Sequence, residues 1–98
     1  MMAEDSASRT VVVTNPQGLH ARPADMFVKT ASQYQSVIEV IKDGERVDGK
    51  SILAILTLAA VEGSNLEIVA RGPDAQAALE ALANLVKRDF DENGNLES

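Results

Sequence analysis

The only histidine of the 98-residue chain lies in the segment GLHARPADMF, residues 18–27. His20 stands directly before residues that favour a helix, and Arg22 follows two positions later. Backbone amides at the start of a helix have no acceptor inside it, and together with the helix dipole they favour an anion. An imidazole nitrogen can act as a nucleophile toward phosphorus, and the guanidinium fork suits phosphate oxygens. The spacing therefore indicates a phosphoryl-binding site with its own nucleophile.

Three neighbouring residues bear on this interpretation. Gly18 is expected to let the loop turn back and to leave the approach to the site open. Pro23 belongs in the first turn of the helix, where its missing N–H costs little. Asp25 is expected to add an acid to that turn, where it favours the helix dipole but repels a phosphorylated partner. Other interpretations stay open, because a lone histidine is more often a surface or packing residue and many helix N-termini bind phosphate without chemistry.

The composition argues against several other classes of function. Lys and Arg number 9 against 15 Asp and Glu, and the net charge of −6 argues against a nucleic-acid binder. With no cysteine and one histidine, the chain offers no thiolate chemistry and no zinc site, and we expect neither a metal nor a cofactor. No apolar stretch approaches the ~20 residues needed to span a bilayer, and no signal peptide is visible. We therefore expect a cytoplasmic protein without membrane insertion.

The remaining residues predict a small mixed fold. Strand signals cover residues 9–14, 37–42, 45–48 and 66–71, and in the last of these Leu66, Ile68 and Ala70 alternate toward one face. Helix signals follow His20, Ser51 and Asp74, and the pattern of the first helix ends near residues 33–36. The third helix has an apolar stripe of Ala75, Ala78, Leu79, Leu82, Leu85 and Val86. Asp43-Gly44, between the second and third strands, favours a type I′ hairpin turn. The order β-α-β-β-α-β-α indicates an α+β open-faced β-sandwich, with a four-stranded, mostly antiparallel sheet and three helices on one face. A single domain is expected over residues 1–98, with residues 1–8 and 91–98 as flexible tails.

The second helix carries more apolar residues than one face can hold. On a helical wheel, the side that can face the sheet carries Ala54, Ile55 and Leu58. An adjoining side, which we expect to be exposed, carries Ile52, Leu53 and Leu56. This stripe is either an apolar docking patch for partner proteins or a second buried side of a small protein.

The segment NPQGLHARPA, residues 15–24, resembles the active-site signature of the HPr family, the histidine-containing phosphocarriers of the phosphoenolpyruvate:sugar phosphotransferase system. The resemblance extends over nearly all of residues 9–90, and GKSILAILTL, residues 49–58, is similar to the second helix of that family. It implies that phosphorylated enzyme I phosphorylates His20 on Nδ1. His20 would then pass the phosphoryl group to an A-type enzyme II domain.

The resemblance also implies roles for the residues around His20. Arg22 would be the charge partner of the phosphoryl group, and the amides of Ala21 and Arg22 would contact its oxygens. Pro23 would fix the entry of the helix. The protein would be a phosphoryl carrier rather than an enzyme with turnover of its own, and the apolar stripe of the second helix would be its docking surface.

Ser51 is expected to cap the second helix through its hydroxyl. The resemblance adds that a dedicated kinase phosphorylates a serine here in some branches of the family, so a serine kinase/phosphorylase is a candidate partner. We expect a monomer, because an exchange protein must leave its active face free. Two alternatives stay open: a regulatory phosphorelay protein that resembles the nitrogen-linked branch, and a non-phosphorylated protein-binding module with the same fold.

Overall fold

The computed structural model describes residues 6–90, in which strands and helices follow one another in the order β-α-β-β-α-β-α. The elements are β1 (Ser6–Val12), α1 (Ala21–Ala31), β2 (Val37–Lys42), β3 (Glu45–Asp48), α2 (Ile52–Thr57), β4 (Asn65–Arg71) and α3 (Ala75–Lys87). The strands form one sheet in the order β1-β4-β2-β3, and every neighbouring pair is antiparallel. The predicted fold class is confirmed.

One face of the sheet is buried beneath the helices because alternate strand residues point to the same side. Leu66, Ile68 and Ala70 of β4 are fully buried, as their alternation predicted. The predicted stripe of α3 is also buried, with no member more than 2% exposed: Ala75, Ala78, Leu79, Leu82, Leu85 and Val86. α3 packs over β1 and β4, and α1 packs beside α3 and α2. Among residues 6–90, no helix is both long and apolar enough to cross a membrane.

The hairpin between β2 and β3 has the predicted turn. Asp43 and Gly44 take φ values of 52° and 85°, the left-handed pair that a type I′ turn requires. This turn holds the short β3 against β2.

The first strand differs from its predicted bounds. β1 begins at Ser6 and not at Arg9, because β4 offers pairing partners to the polar residues as well; Ser6 lies opposite Arg71. The prediction of a loose segment over residues 1–8 is therefore wrong for residues 6–8. Residues 1–5 and 91–98, the rest of the predicted tails, lie outside the described residues. The first helix also ends earlier than expected, at Ala31.

A carboxylate links the loop after α1 to the start of α3. Asp74 accepts hydrogen bonds from the backbone N–H of Ser36 at 2.9 Å, from the Ser36 hydroxyl at 2.5 Å and from the backbone N–H of Gln35 at 2.9 Å. The Ser36 hydroxyl and these amides hold the pKa of Asp74 below its ordinary value. Asp74 therefore ties two loops together instead of capping α3 with its side chain.

Candidate functional site

His20 occupies the N-cap position of α1. Its backbone is extended (φ −83°, ψ −165°), and its carbonyl accepts the N–H of Ala24 at 2.9 Å. Its side chain is exposed and makes no capping hydrogen bond. The ring nitrogens are therefore not committed to the helix, and a partner protein can reach them. The predicted location at the helix N-terminus is confirmed.

The loop before His20 is held from both sides. The Asn15 side-chain amide donates to the carbonyl of Gly18 at 2.8 Å, and the N–H of Gly18 donates to the carbonyl of Asn15 at 3.1 Å. The N–H of Leu19 donates to the carbonyl of Ala60 at 2.9 Å. These bonds fix the chain that leads into His20.

Gly18 has a packing role that the sequence did not suggest. Its φ of 68° confirms the turn, and the residue is buried against the chain after α2. A Cβ at this position would lie 2.3 Å from the carbonyl oxygen of Ala60 and 2.9 Å from Cα of Val61. The absent side chain therefore permits close packing of two loops.

Asn15 is a residue whose importance sequence reasoning missed. It is only 7% exposed, and its Nδ2 must face the Gly18 carbonyl, which can only accept. Its Oδ1 is buried with no hydrogen-bond partner within residues 6–90. The turn chemistry of Asn15-Pro16 gave a signal for a loop, but none for the burial of this side chain.

A pocket of about 340 Å³ brings His20 and Arg22 together, as the sequence predicted. Its lining comprises Asn15, Pro16, Gln17, His20, Arg22, Pro23, Met26, Asp89 and Phe90. Pro23 is the third residue of α1 and is buried, so the helix entry is packed against the protein, while Arg22 is exposed. The imidazole of His20 and the guanidinium of Arg22 therefore lie at one pocket, and both residues are exposed.

Part of the pocket lining comes from the residues just after α3, Asp89 and Phe90, which sequence analysis did not place there. The N–H of Asp89 donates to the carbonyl of Val86 at 3.0 Å, and the N–H of Phe90 donates to the carbonyl of Leu85 at 2.9 Å. This pairing is a Schellman motif, which normally has glycine where Asp89 stands. Asp89 takes a φ of 58°, and its carboxylate accepts a hydrogen bond from the Thr14 hydroxyl.

Asp25 does not lie in the first turn of α1. It is the fifth residue of the helix and forms an ion pair with Lys29, four residues later, at 3.2 Å. The expectation that Asp25 complements the N-terminal dipole is therefore wrong, because the helix begins at Ala21 and its first turn holds no acid.

Ser51 caps α2, as predicted. Its hydroxyl oxygen accepts the N–H of Ala54 at 3.2 Å. Lys50, its neighbour, directs its ammonium group to the carbonyl of Tyr34 at 2.7 Å. Ser51 therefore has a structural role at the N-terminus of α2.

The apolar stripe of α2 is less exposed than expected. Leu53 is 73% exposed, but Ile52 and Leu56 are half-buried against the core, because this six-residue helix packs between α1 and β3. Ile55 is fully buried, as predicted. Val61, which the sequence analysis did not single out, is 63% exposed beside the Gly18 loop. Leu53 and Val61 are thus the large apolar side chains that this region presents to solvent.

Comparisons with known proteins agree on one family. The family model described as the PTS HPr component phosphorylation site matches residues 7–88. Phosphocarrier protein HPr of Treponema pallidum is 45% identical over 84 residues, which cover 86% of this chain and 96% of that protein. A crystal structure of HPr from Thermoanaerobacter tengcongensis superposes with a TM-score of 0.84 at 38% identity, covering 93% of this chain and 99% of that one. Crh of Bacillus subtilis, a catabolite repression protein described as a dimer with a swapped domain, gives a TM-score of 0.69 at 40% identity and covers 81% of this chain and 91% of that one.

Proposed function

Because the chain belongs to the HPr family of the phosphotransferase system, we propose that it is a phosphocarrier with His20 as its acceptor. Phosphorylated enzyme I gives a phosphoryl group to His20, and His20 passes the group to an A-type enzyme II domain. The observation that carries the proposal is the exposed N-cap imidazole of His20, which makes no capping hydrogen bond and shares a pocket with Arg22.

The transfer is a displacement between two imidazoles. The lone pair of His20 Nδ1 attacks phosphorus, and the P–N bond of enzyme I's phosphohistidine breaks. The electron pair of that bond returns to the ring of enzyme I, which leaves as a neutral imidazole because its other nitrogen already carries a proton. The proton on His20 Nε2 stays in place, so the positive ring charge passes from enzyme I to His20 together with the phosphoryl group. No net charge is created, so the step needs positioning and charge stabilisation rather than an additional acid or base.

The start of α1 suits the charge that arrives on His20. The new negative charge lies at the positive end of the helix dipole, next to the backbone amide of Ala21. Arg22 supplies a permanent cation whose planar fork matches phosphoryl oxygens. Because the pocket is open to solvent, the phosphoryl group is held without being enclosed, as carriage between partners requires.

The docking surface of the proposal combines two exposed apolar side chains. Leu53 is the second residue of α2, and Val61 follows Ala60, whose carbonyl accepts the N–H of Leu19, the residue before His20. A partner that covers these side chains is brought next to the imidazole. The carrier would act as a monomer in the cytoplasm, where both partners reach the same face in turn.

A regulatory role is the second candidate, and the similarity to Crh together with the N-cap position of Ser51 favours it. A phosphate on Ser51 would meet the first-turn amides of α2, and the ammonium group of Lys50 is the adjacent cation. In this second candidate, a serine kinase/phosphorylase controls docking. A regulatory phosphorelay of the nitrogen-linked type stays a separate alternative.

The test is incubation with phosphoenolpyruvate and enzyme I, followed by intact mass measurement. The wild type should gain one acid-labile phosphoryl group, and His20→Ala should gain none. Ser51→Ala is the matched control, and it should gain the group as the wild type does. Phosphorylation of His20→Ala would refute His20 as the acceptor, and absence of any gain in the wild type would favour a binding module without phosphorylation.

A further inference from the structure

We propose that Asp89 tunes the strength with which the protein holds its phosphoryl group. Asp89, just after α3, lines the same pocket as His20, and its negative charge destabilises the phosphorylated state. Asp89 thereby raises the tendency of phosphorylated His20 to give the group away. The inference rests on the proposed phosphocarrier function and concerns a residue that does not touch the reacting atoms, so Asp89 would act as a tuning residue.

The backbone presents Asp89 in a conformation that its residue type does not favour. In a Schellman motif the residue after the helix takes positive φ, and glycine does so without a steric penalty. Asp89 occupies this position with a φ of 58°, and Phe90 follows with a φ of 60°. The burial of Phe90, at 6% exposure, holds the end of α3 in this shape.

A hydrogen bond from Thr14 then fixes the direction of the carboxylate. The Thr14 hydroxyl donates to Oδ1 of Asp89 across 75 positions of sequence. Thr14 lies between β1 and the loop that leads to His20, so the carboxylate is anchored to the same segment that carries the nucleophile. The negative charge of Asp89 is therefore a fixed part of the pocket wall.

Phosphorylation places like charges in one small space. A phosphoryl group adds about 1.5 to 2 negative charges at pH 7. His20 and Asp89 both line this pocket of about 340 Å³, and salt screens charges that share a pocket only in part, since the Debye length at physiological salt is about 8 Å. Arg22 attracts the phosphoryl group while Asp89 repels it, and the balance of the two sets how readily the group moves on.

A purely structural role for Asp89 predicts something different. If the carboxylate only ties the end of α3 to Thr14, then Asp89→Asn should change nothing, because asparagine tolerates positive φ and its Oδ1 also accepts from a hydroxyl. Charge is the one property that this variant removes. Any effect of Asp89→Asn on the phosphoryl equilibrium therefore reports on electrostatics.

The experiment is a direct competition for one phosphoryl group. Isotope-labelled wild type and unlabelled Asp89→Asn are mixed with a limiting amount of phosphoenolpyruvate and a catalytic amount of enzyme I. Once exchange reaches equilibrium, intact mass gives the phosphorylated fraction of each protein. We expect Asp89→Asn to hold the group about three- to tenfold more strongly at low ionic strength, and the preference to shrink at about 0.5 M salt.

Two further variants make the result specific. Glu80→Gln removes the same charge from an exposed position of α3, nine residues earlier and about 13 Å along the helix, and it should share the group equally with wild type. Asp89→Gly also removes the charge and suits the positive φ, so it should shift the equilibrium in the same direction as Asp89→Asn even if asparagine disturbs the fold.

The outcomes separate this inference from the proposed function. If the wild type accepts no phosphoryl group, the carrier function fails and the role of Asp89 fails with it. If His20 is phosphorylated but Asp89→Asn and wild type share the group equally, only the role of Asp89 is overturned. An equal shift in Glu80→Gln and Asp89→Asn would also overturn it, because net charge alone would then explain the effect.

Discussion

The backbone N–H of Leu19 donates to the carbonyl of Ala60 over 2.9 Å, and this bond joins the loop that ends at His20 to the chain that leaves α2. His20 and the exposed Val61 are thus parts of one packed unit, although 41 positions separate Leu19 from Ala60. The two segments can lie this close because residue 18 is glycine, since a side chain there would collide with the Ala60 carbonyl.

Gly18→Ala should destabilise the fold by about 2–4 kcal/mol, from left-handed backbone strain together with overpacking. The measurement is urea unfolding followed by circular dichroism. Gly44→Ala is the matched control: Gly44 has a φ of 85°, but a Cβ there would meet nothing within 4 Å. Gly44→Ala should be destabilised by backbone strain alone, by about 1 kcal/mol. Equal losses in the two variants would mean that the approach to Ala60 is unimportant.

Arg22→Ala should still accept a phosphoryl group, but at a rate about tenfold lower, because one charge-assisted contact is lost while the helix amides remain. Arg22→Lys should recover part of the rate, since it keeps the charge and loses the fork. The rates are read by rapid quench with phosphorylated enzyme I. Arg9→Ala is the control: it removes a cation that does not line the His20 pocket, and it should accept the phosphoryl group at the wild-type rate. An unchanged rate in Arg22→Ala would exclude Arg22 from the transfer.

Leu53→Asp should weaken the binding of enzyme I without unfolding the protein, because the Leu53 side chain is 73% exposed. Titration calorimetry gives the affinity and circular dichroism gives the fold. Ile55→Asp, two residues along the same helix, places a charge at a fully buried position and should unfold the domain. A folded Leu53→Asp variant with wild-type affinity would remove Leu53 from the docking surface.

Ser51→Asp should keep the fold, because aspartate is as good an N-cap as serine. We expect a higher half-saturation concentration for enzyme I and an unchanged limiting rate, since the charge acts on docking and not on His20. Ser51→Ala isolates the structural part and should cost about 1 kcal/mol of stability through the lost cap to Ala54. A lower limiting rate at unchanged half-saturation in Ser51→Asp would contradict this division of roles.

Asp74 should make the stability of the domain depend on pH in the acid range. Its pKa is held below the ordinary 3.8, chiefly by the hydrogen bond from Ser36, so the carboxylate stabilises the folded state at every pH above 3.8. That contribution should disappear as the pH falls from 3.8 through the lower folded-state pKa. Urea midpoints of wild type and Asp74→Asn should converge over this interval. A constant difference between the two proteins down to pH 2 would contradict the assignment.

The sequence predicted those parts of the fold and site that depend on local pattern. The alternation of Leu66, Ile68 and Ala70 and the Asp43-Gly44 turn are local signals, and so is the position of His20 before α1. The features it missed depend on contacts between distant segments. Nothing near Ser6 indicates that β4 is long enough to pair with it, and nothing near Asp89 indicates that the end of α3 reaches the His20 pocket.

Partial burial on α2 was mispredicted for a related reason. A helical wheel separates the faces of Ile52 and Leu56 from that of Ile55, but it does not show which neighbours cover each face. In a helix of six residues that packs between α1 and β3, two faces are covered, and Leu53 is the apolar residue of α2 that projects well into solvent. The short length of α2, rather than the periodicity of its apolar residues, determines which of its side chains are exposed.

The sheet order β1-β4-β2-β3 also determines when the protein can fold during its synthesis. β4 is the strand that pairs with both β1 and β2, yet it begins at Asn65, more than fifty residues after β1 ends at Val12. At about 5–20 residues per second, a ribosome needs several seconds to deliver the missing partner. During that interval β1 has no neighbour, and the hairpin of β2 and β3 stands alone. The four-stranded sheet therefore forms late and in one step, when β4 has been synthesised and can pair with both β1 and β2.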